Sequence, residues 1–243
     1  MYTNTSGLVL RETAYKDSGK ILTVLTADEG KLTVSARGAR RRNSKLAAAT
    51  QLLVYSEMTL YEGRAGRVLT EARSIEQFHG LRNDVVLLAH GSYFAQLAEA
   101  ASDEDSPGRE LLPLCLNALF ALSEAIKTPE YVKPAFELKL MELSGFAPAV
   151  DRCCSCGAEA PETAMLDIDG GVIRCGDCAP PGADMLGAGV LRAMRYILSC
   201  NPKKLFSFTL GATALRELSR ICESYLLSHL DRDFRTLDYL KKL

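Results

Sequence analysis

Two hydrophobic periods divide this chain. Over residues 7–76 apolar and polar positions alternate at a spacing of two, the pattern of strands with one face buried and the other wet. Gly7-Leu8-Val9-Leu10 leads to Lys20-Ile21-Leu22-Thr23-Val24-Leu25-Thr26, and Ala27-Asp28-Glu29-Gly30 turns the chain into a third strand. There Leu32, Val34 and Ala36 alternate with Lys31, Thr33 and Ser35. Leu52 to Tyr61 alternates again, and Gly63-Arg64-Ala65-Gly66 predicts a tight hairpin into Arg67 to Ile75, a glycine at each end supplying positive φ.

From Leu81 the period lengthens to about 3.6. Val85, Leu88, Ala89, Ser92, Tyr93, Gln96 and Leu97 build an amphipathic helix that ends near Ser102, where Ser102-Asp103-Glu104-Asp105-Ser106-Pro107-Gly108 breaks it. A second helix, about Arg109 to Ile126, is apolar on most faces and therefore central. A third starts at Thr128-Pro129-Glu130, with Thr128 as N-cap, and stops at Ser144-Gly145. Residues 151–180 are rich in Cys, Gly and Pro, with a hairpin signal from Met165 to Ile173. Helices resume from about Gly189 to Ser199 and from Ala212 to Leu230, and the tail offers an apolar edge of Phe234, Leu237, Tyr239 and Leu240 that docks on the helices.

About five short strands within about 70 residues make a small barrel, of the OB-fold or the SH3-like kind; strand spacing alone does not separate the two. The expected fold class is α+β multidomain: a barrel over residues 1–79, a helical domain over 80–150 and 181–243, and a cysteine-bearing insert at 151–180.

Charge sharpens the picture. The net charge of -1 hides an asymmetry: residues 1–75 hold twelve Lys and Arg against seven Asp and Glu, and the rest of the chain seventeen against twenty-three. Much of the positive excess is crowded behind the third strand, where Arg37, Arg40, Arg41, Arg42 and Lys45 follow one another with no acidic residue between them. Such crowding is unfavourable unless a polyanion lies opposite, and a phosphate backbone is the commonest one. Lys31 on the strand itself, and Arg64 and Arg67 at the hairpin as an opposite rim, complete a candidate nucleic-acid groove. Tyr15, Tyr55 and Tyr61 are available for base stacking, but strand spacing assigns them to the barrel core.

The cysteines are more specific. Cys153-x-x-Cys156, eighteen intervening residues, then Cys175-x-x-Cys178 has the spacing of a ribbon-type zinc site. Cys154 adjoins Cys153 and competes with it in principle; spacing favours Cys153. Four thiolates fill a tetrahedral shell, so the zinc is expected to be structural, with Arg152 and Arg174 placed to offset its thiolate charge. Cys115, Cys200 and Cys222 lie on apolar helix faces as buried thiols. His79, His90 and His229 have no ligand spacing, and neither a phosphate-binding P-loop nor a dinucleotide fingerprint occurs. The reading is a non-enzyme with no small-molecule substrate. Leu111 to Ile126 is interrupted by Pro113, Asn117, Ser123 and Glu124, and the first residues lack the features of a signal peptide, so a cytoplasmic protein without a membrane partner is expected.

Taken together, Tyr15 to Lys45, with its Thr26…Glu29-Gly30-Lys31 turn and Ala36-Arg37-Gly38-Ala39-Arg40-Arg41 run, resembles the RecO family of bacterial recombination mediators, as do the helical body and the paired Cys-x-x-Cys insert. Asp17 stands where that family often has glutamate. The resemblance covers the chain, most weakly over 183–243. It implies an OB-fold, binding of single- and double-stranded DNA, annealing of complementary strands, and partnership with RecR. It also implies work on strands coated by the single-stranded DNA-binding protein, whose C-terminal tail some relatives bind, so that RecA can load, in the cytoplasm at the nucleoid. The family's DNA-contacting region falls on Lys31, Arg37, Arg40, Arg41, Arg42 and Lys45, and its zinc ligands fall on Cys153, Cys156, Cys175 and Cys178. An RNA-binding OB/zinc-ribbon protein of translation or RNA metabolism is the alternative.

Overall fold

The computed structural model describes residues 1–64, 66–104 and 106–243; Ala65 of the hairpin turn and Asp105 of the acidic loop lie outside the described residues. The chain folds into two compact units, Met1–Ile126 with Phe234–Leu243, and Lys127–Asp233.

In the first unit, β1 (Tyr2–Tyr15), β2 (Gly19–Thr26), β3 (Gly30–Ala36), β4 (Tyr55–Gly63) and β5 (Gly66–Glu76) close a barrel in the order β1-β2-β3-β5-β4. Neighbours are antiparallel except β3 and β5, which run parallel at Val34↔Arg67 and Ser35↔Val68. A five-stranded barrel closed in this way is OB-type, which decides between the two barrels that strand spacing left open. β1 serves two neighbours: Tyr2 to Leu8 pairs with β4 and Gly7 to Tyr15 with β2, with a register shift between Val9 and Arg11 where the strand bends.

Val9, Leu22, Val24, Leu32, Val34, Met58, Leu60 and Leu69 fill the barrel. Burying each such side chain contributes roughly 1.5–3 kcal/mol. β2 departs from simple alternation: Leu22 through Thr26 are all buried. Its outer face is covered as well, and Leu8, Leu10 and Leu25 are buried together with the barrel core. The cover includes α2 (Val85–Ala101) and α3 (Leu111–Ser123), which follow the single turn of α1 (His79–Arg82) and pack on β1. α2 is started by Asp84, whose carboxylate accepts the Val86 and Leu87 N–H groups at 2.7 and 3.3 Å.

The second unit is built on α4 (Pro129–Leu143), which is buried on every face from Val132 to Met141. It starts after Thr128, as the sequence predicts. The cap differs: the Thr128 carbonyl accepts Tyr131 and Val132 N–H at 3.0 and 3.2 Å, and its side chain makes no cap hydrogen bond. The paired Cys-x-x-Cys segment forms a sheet of order β6-β8-β7-β9, from β6 (Ala149–Cys153), β7 (Ala164–Asp167), β8 (Val172–Cys175) and β9 (Met185–Leu186). β7 and β8 are the expected hairpin, with Leu166 opposite Ile173. α5 (Ala188–Ser199) and α6 (Ala212–Leu230) pack on α4.

Because α4 is central, its charges are buried. The Lys133 amine sits 2.8 Å from both Glu137 of its own helix and Glu223 of α6. Burial opposes the charged amine, but the two carboxylates outweigh it and hold its pKa above the ordinary 10.5. The tail then returns to the first unit as α7 (Arg235–Leu240), packed on α2. Phe234 meets Tyr93 edge-on at 6.3 Å, and the Thr236 N–H donates to Gln96 Oε1 at 3.2 Å. Phe234 and Leu237 are buried, as their spacing predicts, while Tyr239 stays exposed.

Candidate metal centre and nucleic-acid face

The four cysteines at the ends of β6 and β8 converge. The sulfur atoms of Cys153, Cys156, Cys175 and Cys178 all lie within 4.8 Å of one another, and Cys156 Sγ and Cys175 Sγ are 3.7 Å apart. Thiolates about 2.3 Å from a tetrahedral zinc stand roughly 3.8 Å apart, so the cluster fits such an ion. Each pair turns tightly after its first cysteine. Gly157 N–H returns to the Cys153 carbonyl at 3.0 Å, with Gly157 at φ +74°, and Cys178 N–H returns to the Cys175 carbonyl at 3.0 Å. Backbone N–H groups of Cys156 and Cys175 draw the Cys153 thiol down to about 6. Hydrogen bonds with the Cys156 and Cys175 thiols push Cys178 up to about 12. A cation held among the four sulfur atoms would favour their thiolate forms. Cys154 is outside the cluster, exposed, its sulfur 3.8 Å from Ser155 Oγ.

The two arginines beside the ligand pairs differ. Arg152 lies 3.7 Å from Glu159, while Arg174 Nε is buried with no hydrogen-bond partner among the described residues. A residue the sequence did not single out holds the ribbon in place. Arg195 of α5 donates to the Val150 carbonyl at 2.8 Å and to the Pro161 carbonyl at 3.1 Å. Its place on a polar helix face hides this role, since both acceptors are main-chain atoms distant in sequence.

The basic positions of the barrel sort into two groups. After β3 the chain makes a series of turns over residues 37–54, with Arg41 N–H on the Gly38 carbonyl and Ser44 N–H on the Arg41 carbonyl, each at 3.0 Å. Ala39 is buried in the barrel core and Leu46 packs against it, so the intervening Arg40, Arg41 and Arg42 face water. Arg40 N–H bonds the Ser18 carbonyl at 2.9 Å, which ties this segment to the β1–β2 turn and its exposed Lys16. Arg37, Lys45 and Arg64 are also exposed. None of these six predicted cations has an ion-pair partner among the described residues.

Three other barrel cations are paired, Arg11 with Glu99 at 2.8 Å, Arg73 with Glu57 at 3.2 Å, and Lys20 with Glu12, while Lys16 lies over the Tyr15 ring. Two predicted contact residues belong to this second group. Lys31, at the far end of β3 from Arg37, donates to the Glu99 carbonyl of α2 at 3.0 Å. Arg67 lies 3.1 Å from Glu29 and 3.9 Å from Glu62. The structure brings neither into the unpaired cluster.

Aromatic residues at the hairpin end of the barrel break with expectation. Tyr15 and Tyr61 are 46% and 42% exposed, so neither is core. The period of β4 carries the reason: Ser56, Met58 and Leu60 point inward, which turns Tyr61 outward. Tyr61 is the register partner of Tyr2, a residue the sequence reading passed over, and the two rings are 5.2 Å apart. With Arg37, Arg64, Val68 and Thr70 they line an open groove of about 550 Å³.

The chain thus couples an OB-type barrel carrying an unpaired cationic loop to a helical unit with a four-cysteine ribbon. The family model described as Recombination protein O N terminal matches residues 1–78, and that described as Recombination protein O C terminal matches residues 82–238. The DNA repair protein RecO of Acetivibrio thermocellus is 31% identical over 244 residues, spanning 100% of this chain and 97% of that relative. That of Symbiobacterium thermophilum is 32% identical over 246 residues, spanning 99% and 97%. The chain belongs to the RecO family of DNA repair proteins.

Proposed function

We propose that this protein is a recombination mediator that binds single- and double-stranded DNA through Arg37, Arg40, Arg41, Arg42, Lys45 and Arg64, and anneals complementary strands. The observation that carries this reading is that these six exposed cations have no ion-pair partner among the described residues, whereas Arg11, Lys20, Arg67 and Arg73 of the same barrel each have a carboxylate partner. Like charges held close in one segment are relieved when phosphates replace their counterions. Two approaching strands repel through their phosphates, so a cationic surface that touches either strand lowers the barrier to their meeting. Sequence-independent contacts suit a protein that must anneal any pair of complements.

Lys31 and Arg67 already have protein partners, so in this reading they shape β3 and the hairpin rather than touch phosphate. Cys153, Cys156, Cys175 and Cys178 hold a structural zinc that supplies cross-linking where the ribbon has little apolar core. Its four thiolates leave no open position for a reactive water, in keeping with a binding protein rather than an enzyme. Family membership supports the remaining partners: RecR, and the single-stranded DNA-binding protein whose coat must be negotiated before RecA loads, at the nucleoid. Annealing of complementary oligonucleotides, naked and coated with the single-stranded DNA-binding protein, tests the reading at several salt concentrations. Faster annealing that fades with salt is expected; a rate equal to the uncatalysed one, or a preference for RNA over DNA of equal length, would overturn it.

A further inference from the structure

The mediator reading assigns phosphate contacts but says nothing of how single strands are told from duplex. The groove at the hairpin end of the barrel offers a means. Tyr2 opens β1 and Tyr61 nears the end of β4, and their pairing is fixed by reciprocal main-chain bonds: Glu62 N–H to the Met1 carbonyl at 2.9 Å, and the terminal ammonium to the Glu62 carbonyl at 3.2 Å. The rings meet at 54°, a tilted platform rather than a closed stack, and are 65% and 42% exposed. Gly63 makes room for Tyr61: a Cβ there would stand 3.1 Å from its Cε1. The sequence reading gave Gly63 a positive φ, but Gly66 has it, at +97°, and Gly63 serves by lacking a side chain.

The chemistry of the lining selects the occupant. Arg37 and Arg64 flank the aromatic pair, and among the described residues no carboxylate lines the groove. A second groove of the barrel, about 760 Å³, is lined by Asp28, Glu57 and Glu71 with Arg73, whose guanidinium is already paired with Glu57, so it offers a phosphate chain no free cation among the described residues. Aromatic faces flanked by guanidinium groups bind unstacked bases with their phosphates alongside. In a duplex those base faces are already covered by their neighbours. We propose that Tyr2, Tyr61, Arg37 and Arg64 form a base-stacking subsite for single-stranded nucleic acid, giving the barrel a preference for single strands that the arginine loop does not provide. This rests on the DNA-binding reading above.

The chain contains no tryptophan, so Tyr61→Trp in the full-length protein places a lone reporter in the groove. Its emission is followed on adding oligo(dT), a blunt duplex of equal charge, or oligo(U), with binding read independently by fluorescence anisotropy. Quenching by oligo(dT) well beyond that by duplex is expected. Tyr2→Ala/Tyr61→Ala should weaken single-strand binding by about fivefold to about a hundredfold, the range of base–aromatic stacking, and spare duplex binding. Tyr61→Phe should retain single-strand affinity, because the ring and not the hydroxyl stacks. Oligo(dT) that binds without altering the emission, or a double variant that weakens both polymers equally, would overturn the subsite and leave the mediator reading standing. If neither DNA binds, the mediator reading itself fails; equal quenching by oligo(U) supports the subsite, since stacking accepts the bases of either nucleic acid.

Discussion

Cys153 and Cys154 are adjacent in the chain and opposite in fate, because Cys153 closes β6 and Cys154 stands in the turn that follows it. Cys153 is buried with its sulfur beside those of Cys156, Cys175 and Cys178, and Cys154 is exposed. Cys153→Ser is therefore expected to lose zinc and to lower the unfolding midpoint, whereas Cys154→Ser keeps both; metal content and thermal unfolding of the two variants check this. A zinc-replete Cys153→Ser protein would refute the ligand assignment. The convergence of the four cysteines was legible because two Cys-x-x-Cys pairs encode their geometry locally. Tyr61 was legible too, had the inward Met58 and Leu60 been used to set its face. Lys31 was not, since its acceptor at Glu99 lies 68 positions along the chain and no local pattern announces it.

At the scale of elements, α4 shows what periodicity misses. Its start and end were readable from Thr128-Pro129 and Ser144-Gly145, but the burial of its charged positions Lys133, Glu137 and Lys139, in a helix that packs on α5 and α6, was not. Lys133→Met would leave the Glu137 carboxylate, 0% exposed, without this cation, and is expected to cost about 3–5 kcal/mol in urea unfolding. A loss below about 1 kcal/mol, the worth of a surface pair, would contradict the buried network. The pH dependence follows from a raised folded-state pKa. Lys133 binds its proton more tightly when folded, so its contribution is complete below 10.5 and is lost as pH rises through the folded value above that. Unfolding midpoints from neutral pH to beyond 10.5 should fall more for the wild type than for Lys133→Met.

For the whole molecule, the sequence revealed barrel, helices and ribbon in order, but not the closure. That depends on a parallel contact of Val34 and Ser35 with Arg67 and Val68 across an intervening strand and loop, a pairing that strand patterns do not encode. Closure in turn gathers the residue 37–54 connection, the β1–β2 turn and the hairpin at Arg64 around one end of the barrel. The cationic excess of the first third thus becomes a directed surface, most of it carried by one loop. The most direct test of that surface is the salt dependence of single-stranded oligonucleotide binding, plotted as the logarithm of affinity against the logarithm of salt concentration. For Arg40→Gln/Arg41→Gln/Arg42→Gln the slope should be shallower than wild type by about 2 units, three phosphate contacts at about 0.7 each. A variant that keeps the wild-type slope and affinity would show that these arginines do not touch the phosphate chain.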